Sequence, residues 1–249
     1  MTNIGVYQEH LDICTSTMDI ARERVTLQSE VFGLISATEQ TAGRGRRGKT
    51  WQNPQEGFLG TIWIKTGLNA AQLSGLSLGV GVLVTDTLQA LGASAWLKWP
   101  NDIVTVDGRK LGGILVEAGS SYPGLQNTDY LAQDQFVLIG IGLNMRPPAD
   151  VAVSAAGLKN LSANEFAQQM IKLLPAFWQE FSTAGLAVFL TRWRARCITL
   201  GKTVEFSRGL ERERALFADV GELGEALLEI NGRIERFFSV EIHTVREVR

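Results

Sequence analysis

Apolar and polar positions alternate in short runs through the first half of the chain. "VFGLISA" (31–37) and "GFLGTIWIK" (57–65) are rich in β-branched and aromatic residues and read as strands. "AWLKWPNDIVTV" (95–106) carries Pro100, which has no N–H to give a ladder, so the run predicts two short strands that break there. Asp107-Gly108 then reads as a two-residue hairpin turn between "DIVTV" and "RKLGGILVE". "QFVLIGIGLNM" (135–145) is apolar almost throughout, the pattern of a strand covered on both faces.

Helical spacing occupies other segments. "STMDIARER" (16–24) opens on a hydroxyl cap, and 73–91 is apolar all round, as a buried helix would be. "SANEFAQQMIKLLPAFWQEF" (162–181) begins with a Ser162-x-x-Glu165 capping box, and Pro175 predicts a kink or a division. "GLAVFLTRWRARC" (185–197) predicts a further helix. From Gly201 the period shortens to four β-runs, "GKTVEFS", "ERALFADV", "EALLEIN" and "RIERFFSVEI", with Asn231-Gly232 as the turn in the last pair. The pattern is that of an α+β chain: a central mixed β-sheet flanked by helices over 1–199, then a small SH3-like β-barrel over 200–249.

Composition narrows the class. Of 249 residues 45% are hydrophobic and 20% charged, an ordinary globular balance that excludes disordered and fibrous classes. The formal charge of −2 argues against a general polyanion binder. Cys14 and Cys197 are far apart and in no metal-ligand spacing, which fits a reducing cytoplasm. Two histidines, His10 and His243, leave little material for a His-based triad or metal site. Ser74, Ser77, Asp86 and Gln89 interrupt the most apolar run, and the N-terminus has no apolar signal core, so a soluble protein with no membrane partner is expected.

"AGRGRRGKTW" (42–51) matches both the dinucleotide fingerprint and the phosphate-loop pattern. Both need strand, loop and then helix. Here "WQNPQEG" follows, with no helical period, and another strand begins, so both matches are coincidental. The loop still puts four cations, Arg44, Arg46, Arg47 and Lys49, into six residues. Such crowding is repulsive unless something anionic neutralises it, and guanidinium forks suit phosphate and carboxylate. Trp51 offers a flat face to an aromatic ring. A solvated basic loop or a nucleic-acid contact would use the same cations. In "KWPNDIVTVDGRKLGGILVE" (98–117), Lys98, Asp102 and Lys110 form a second polar cluster among apolar strands. Asp102 suits Mg²⁺ beside phosphates, Lys110 suits a carboxylate meeting an α-phosphate, and Gly112 and Gly113 leave room for a ligand. Strand-end charges exposed to water would read the same way.

The ordered set "TEQTAGRGRRGKTW", "KWPNDI", "RKLGGILVE" and "IGIGLNM" resembles the biotin protein ligases over nearly the whole chain, barrel included. The resemblance implies a class II synthetase-like catalytic domain that makes biotinyl-5′-adenylate from biotin and ATP. It also implies transfer of the biotinyl group to a lysine of a biotin carboxyl carrier protein domain of acetyl-CoA carboxylase. Biotin would be held by Ser16, Thr17, Gln40, Gly43, Arg44, Lys110 and Gly113, with Met18 standing where the family often has Asn. The nucleotide would be held by Arg46, Arg47, Trp51, Asn101 and Asn144. Lys110, Arg46 and Asp102 would be catalytic, with Asp102 the Mg²⁺ ligand. Ser16 read alone is a helix cap, and Asn144 a strand-end turn residue. The substrate segment that the resemblance implies near Cys14 leaves no room before it for a helix-turn-helix, so a monofunctional enzyme without a DNA role is expected; a homodimer is left open. Lipoate ligases and octanoyltransferases share the superfamily without the "GRGRRG" loop, and a nucleic-acid module using that loop is the rival from another class.

Overall fold

The computed structural model describes residues 5–120, 135–147, 157–158, 160–208 and 211–244. In chain order the elements are β1 (Val6–Cys14), α1 (Thr17–Leu27), β2 (Phe32–Gln40), β3 (Glu56–Lys65), α2 (Leu76–Ala90), β4 (Trp96–Lys98), β5 (Asp102–Val104), β6 (Lys110–Ser120), β7 (Gln135–Arg146), α3 (Ala163–Ala184) and α4 (Ala187–Arg196). Five strands follow: β8 (Thr203–Arg208), β9 (Glu211–Val220), β10 (Ala226–Ile230), β11 (Arg233–Phe237) and β12 (Ile242–Thr244). The first seven strands form one sheet in the order β1-β2-β3-β7-β6-β5-β4. Only the β1–β2 pair is parallel, with α1 as its crossover, so the sheet is mixed as expected.

Period-2 alternation sends successive side chains to opposite faces. On β3, Trp63 packs with Met18, Ala21 and Val25 of α1, joined by Ile35 of β2 and Leu138 of β7. Ile62 and Ile64 face the other way, into a larger core with α2, α3 and α4. That core continues without a break into Val204, Phe206 and Phe217 of the C-terminal strands, whose order is β11-β10-β9-β8-β12. Ile198 N–H donates to the Leu97 carbonyl at 3.0 Å, tying the end of α4 to β4. No single helix among the described residues is long and apolar enough to cross a membrane.

The expected elements are present, with five corrections. β1 carries no clean alternation because it is an edge strand, and Gln8, His10, Asp12 and Ile13 along it are exposed. β2 runs to Gln40 rather than Ala37. Past Ala37 it pairs with β1 alone, so Thr38 and Glu39 meet water and read as loop. Asp107-Gly108 is part of a three-residue loop: Gly108 N–H donates to Thr105 O at 2.9 Å, and Gly108 takes φ 84° as the bulge residue. Pro175 neither divides nor ends α3. The buried face Phe166, Met170, Leu174, Phe177, Trp178 and Phe181 runs past it on both sides, and that packing holds the halves together. The break falls instead at Gly185, where α4 turns 119° from α3. Finally, the last β-run divides into β11 and β12, which lie at opposite edges of their sheet. The capping box at Ser162 and Glu165 and the left-handed Asn231-Gly232 turn form as expected.

Candidate active site

A cleft of about 290 Å³ opens where the start of α1, the 42–51 loop, the β4–β6 strands, β7 and residues 240–243 converge. Its floor is built on buried hydroxyls. Ser16 and Thr17 are 1% and 3% exposed. Ser16 Oγ accepts from the Met18 N–H at 3.3 Å, so the capping role is real as well. Gln40 Oε1 accepts from the Thr17 N–H at 2.8 Å and from the Thr17 hydroxyl at 3.1 Å. Thr17 Oγ1 also lies 2.8 Å from Thr61 Oγ1 on β3. Gln40 is itself anchored by Asn53, whose side chain accepts from the Gln40 N–H at 3.1 Å and donates to the Gln40 carbonyl at 2.9 Å. The amide of Asn53 thus replaces the strand partner that β3 no longer offers.

The roof is the 42–51 loop. It folds as a hairpin, with Trp51 N–H donating to Gly43 O at 2.9 Å and Gly45 N–H to Lys49 O at 2.7 Å. A three-residue 3-10 turn, Arg46–Gly48, closes it with Arg47 at φ 56° and Gly48 at φ 71°. No helix follows, so neither nucleotide fingerprint is realised. The chain itself supplies partners for three of the four crowded cations. Arg44 forks onto Asp19 of α1 with both bonds at 2.8 Å. Lys49 Nζ bonds Glu241 Oε1 at 2.6 Å, and that bond holds the Glu241 carboxyl below its ordinary value. Arg47 donates to the Ser239 carbonyl at 2.8 Å and to its hydroxyl at 3.0 Å. Arg46 differs. It is half-buried, its side chain's one polar contact among the described residues is Asn101 Oδ1 at 3.3 Å, and burial followed by the neighbouring Arg47 charge lowers its pKa.

The wall comes from the two broken strands and the hairpin after them. Asn101 donates to Ile114 O at 2.8 Å and accepts Ile114 N–H on its own carbonyl at 3.0 Å, which anchors the strand break to β6. Lys110 Nζ donates to Asp102 Oδ1 at 2.6 Å. Lys98 lines the same cleft, and burial pushes its ammonium below the usual lysine value against the pull of Asp102. Trp51 lies over the wall, 5.7 Å from Lys110 Nζ to ring centroid. The absence of side chains beneath it makes this possible: a Cβ at Gly142 would sit 2.5 Å from the indole and one at Gly113 3.4 Å away. Trp51 Nε1 is buried without a hydrogen-bond partner, alone in this among the side chains of the described residues. Such an orphaned donor costs about 1–3 kcal/mol until a ligand satisfies it.

Ser16, Thr17, Gln40, Arg44, Arg46, Arg47, Trp51, Asn101, Asp102, Lys110 and Gly113 therefore meet around one cleft. Gly43 and Asn144 do not line it; Asn144 is 6% exposed at the end of β7, and its carbonyl accepts from Leu158 N–H at 3.0 Å. Sequence reasoning missed Asp19, Asn53, Thr61, Ser239 and Glu241. Thr61 left a trace, a hydroxyl inside the apolar run "FLGTIWI"; the others become visible only through contacts distant in sequence. No group of three or more His, Cys, Asp or Glu that could hold a metal ion occurs among the described residues. Asp102 is a lone carboxylate, compatible with Mg²⁺ only where phosphates complete the shell.

Residues 11–126 match the model of the biotin/lipoate A/B protein ligase family. A biotin–[acetyl-CoA-carboxylase] ligase of Paracoccus denitrificans is 32% identical over 210 residues, covering 78% of this chain and 82% of that protein. The bifunctional ligase/repressor BirA of Escherichia coli K12 is 33% identical over 219 residues; the match takes in 83% of this chain and 64% of that longer protein. A biotin protein ligase from Aquifex aeolicus, solved with biotin and ATP, has a TM-score of 0.77 at 22% identity and covers 96% of this chain and 99% of that one.

Proposed function

We infer, from a chain that belongs to the biotin protein ligases within the biotin/lipoate A/B protein ligase family, that this cleft activates biotin with ATP and passes it to a carrier lysine. In the first step a biotin carboxylate oxygen attacks the α-phosphorus and pyrophosphate leaves, forming biotinyl-5′-adenylate. In the second, the ε-amine of the acceptor lysine attacks the acyl carbon, an amide forms and AMP departs with the bonding pair. The acceptor is a biotin carboxyl carrier domain of acetyl-CoA carboxylase, in line with the name of the Paracoccus relative. The two free thiols, Cys14 and Cys197, fit a cytoplasmic enzyme.

One observation carries this reading: Lys110 of the wall and Arg46 of the roof reach the same small cleft, bonded to the neighbouring residues Asp102 and Asn101. Two anions, a carboxylate and a triphosphate, repel each other in water; cations fixed between them offset that repulsion where charge builds up. Lys110 is the principal catalytic group and leaves Asp102 for the reacting oxygens as they arrive. Arg46, lacking a carboxylate of its own, holds the adenylate, and Arg47 and Asn101 border the phosphates. Ser16, Thr17, Gln40 and Gly113 receive biotin with Arg44, and Trp51 receives the adenine, while Gly43 and Asn144 stand outside the lining and support biotin and adenine from behind it. Mg²⁺, when bound, would sit on Asp102 and neutralise phosphate charge. The hairpin roof excludes water from the mixed anhydride.

Biotin-dependent exchange of labelled pyrophosphate into ATP tests this reading. Exchange with biotin and none with lipoate or octanoate is expected. Exchange with lipoate alone would assign the chain to the lipoate branch, and salt-sensitive oligonucleotide binding without exchange would support the nucleic-acid alternative.

A further inference from the structure

The floor of the cleft holds a hydroxyl that the proposed chemistry does not use. Thr61 is 0% exposed, in the middle of β3 between Ile35 of β2 and Gly140 of β7. Its neighbours on the strand are Gly60 and Ile62, and an apolar residue there would pack without any desolvation cost. Its hydrogen-bond contact is Thr17 Oγ1 at 2.8 Å. Thr17 in turn contacts Gln40 Oε1 through both its N–H and its hydroxyl.

A hydroxyl has one proton to give and two lone pairs to receive with. The Thr17 proton is spent on Gln40 Oε1, so the 2.8 Å contact is satisfied only if Thr61 is the donor. The proton order runs Thr61 to Thr17 to Gln40. Two consequences follow at the cleft surface. Gln40 Oε1 is occupied twice by Thr17, so the amide must present its Nε2 hydrogens to a ligand. Nε2 reaches past Gly43, where even a Cβ would stand only 3.1 Å from it. Thr17 Oγ1 meanwhile keeps one lone pair unspent. An acceptor on Thr17 next to a donor on Gln40 is complementary to an N–H beside a C=O, the edge of a cyclic urea. A dithiolane ring offers neither group.

We propose that Thr61 is a positioning residue which, by donating to Thr17, fixes the polarity of the Thr17–Gln40 pair so that the cleft reads the N–H/C=O edge of a cyclic urea. This rests on the biotin reading above and names the group that makes the cleft choose biotin over a ring without that edge. Thr61 touches no substrate; it acts through Thr17.

The test is calorimetric titration with biotin, together with KM for biotin and for ATP in pyrophosphate exchange. It uses the full chain, Thr61→Val, Thr61→Ser, Thr17→Val and the Thr17→Val/Thr61→Val double variant. Losing the donor to Thr17 is expected to raise the Kd and KM for biotin on the order of tenfold while leaving the KM for ATP unchanged. Thr61→Ser, which keeps the hydroxyl, returns both values to within about threefold of wild type. In the Thr17→Val background the second substitution adds little, because the two act through one bond. Wild-type biotin affinity in Thr61→Val, a parallel rise in the KM for ATP, or losses that multiply in the double variant would each overturn the proposal. If Thr61→Val does not fold, as judged by its thermal transition, the same cycle is run with Thr61→Ala and the same readings decide. Failure of the wild-type chain to bind biotin would overturn the biotin reading itself, and the wild-type titration alone reveals it.

Discussion

The floor and the roof of the cleft are made of different materials. The floor is a chain of hydrogen-bonded groups, the buried Thr61 and Thr17 and the half-buried Gln40, with Asn53 bracing the last of them, and every member sits on or beside the seven-stranded sheet. The roof is a hairpin whose cations lean on exposed or half-exposed partners: Asp19, Ser239 and Glu241. A buried hydrogen bond left half-made costs the desolvation of the remaining partner. An exposed ion pair is worth about 0–1 kcal/mol and weakens with salt. The floor is therefore built to be rigid and to choose the ligand, whereas the roof can open and close without large cost. The C-terminal strands take part in the second task, because Ser239 and Glu241 hold the hairpin from their side.

That contrast can be broken at four points, in order of expected effect. Lys110→Ala removes the cation that meets the reacting oxygens. Adenylate formation should fall by about a hundredfold or more, with an unchanged thermal transition, measured by pyrophosphate exchange. Wild-type exchange in this variant would take Lys110 out of the mechanism. Arg46→Gly removes the one roof cation without a carboxylate or backbone partner. Adenylate should escape roughly tenfold faster and label proteins indiscriminately, which a streptavidin blot of mixed proteins would reveal. A blot with a single band would show that Arg46 does not retain the intermediate.

Asn53→Ala strikes the floor from behind by removing both braces on Gln40. The KM for biotin should rise about fivefold as Gln40 loses its fixed position, a cost on the order of 1 kcal/mol, with kcat nearly unchanged. A fall in kcat at constant KM would mean that Asn53 serves the chemistry instead. The smallest effect belongs to the roof. Lys49→Glu should speed biotinyl-adenylate release about twofold to threefold, less at high salt, and Glu241→Lys in the same chain should restore the wild-type rate. The pH dependence has a definite sign. Glu241 is held below its ordinary value by Lys49, so the pair is intact above the normal carboxylate range and lost as pH falls through the depressed value. Stopped-flow release rates that rise on acidification in the wild type, and not in Glu241→Gln, would confirm the latch; identical profiles would dismiss it.

Much of the fold was legible where periodicity is strong. β3, β7, the broken β4–β5 pair and the capped α3 stand close to where their patterns put them. The misses have a common cause. β1 and the end of β2 lie at a sheet edge, where water replaces a neighbour on one side and the apolar signal fades. Pro175 reads as a breaker because a local rule cannot see the packing against α2 that holds α3 together. Site residues in compact motifs, the 42–51 loop and 98–117, were legible as types: cations, a carboxylate, glycines and a flat aromatic. Their partners were not, since Asp19, Ser239 and Glu241 stand alone in unremarkable runs.

By itself the amino-acid order determined which elements form and which chemistry the chain carries, because period, caps, turns and residue type are local properties. It also disposed of the two nucleotide fingerprints, since both depend on a helix whose absence is itself local. Only the tertiary structure decided how those groups are spent. Arg44 and Lys49 go to the chain's own carboxylates, Arg46 goes to the cleft, and Thr61 donates to Thr17, 44 residues earlier in the chain. The physical reason is range. Hydrogen bonds and close ion pairs act over about 3 Å, and which groups come within 3 Å of one another is settled by the packing of the sheet and not by neighbourhood along the chain.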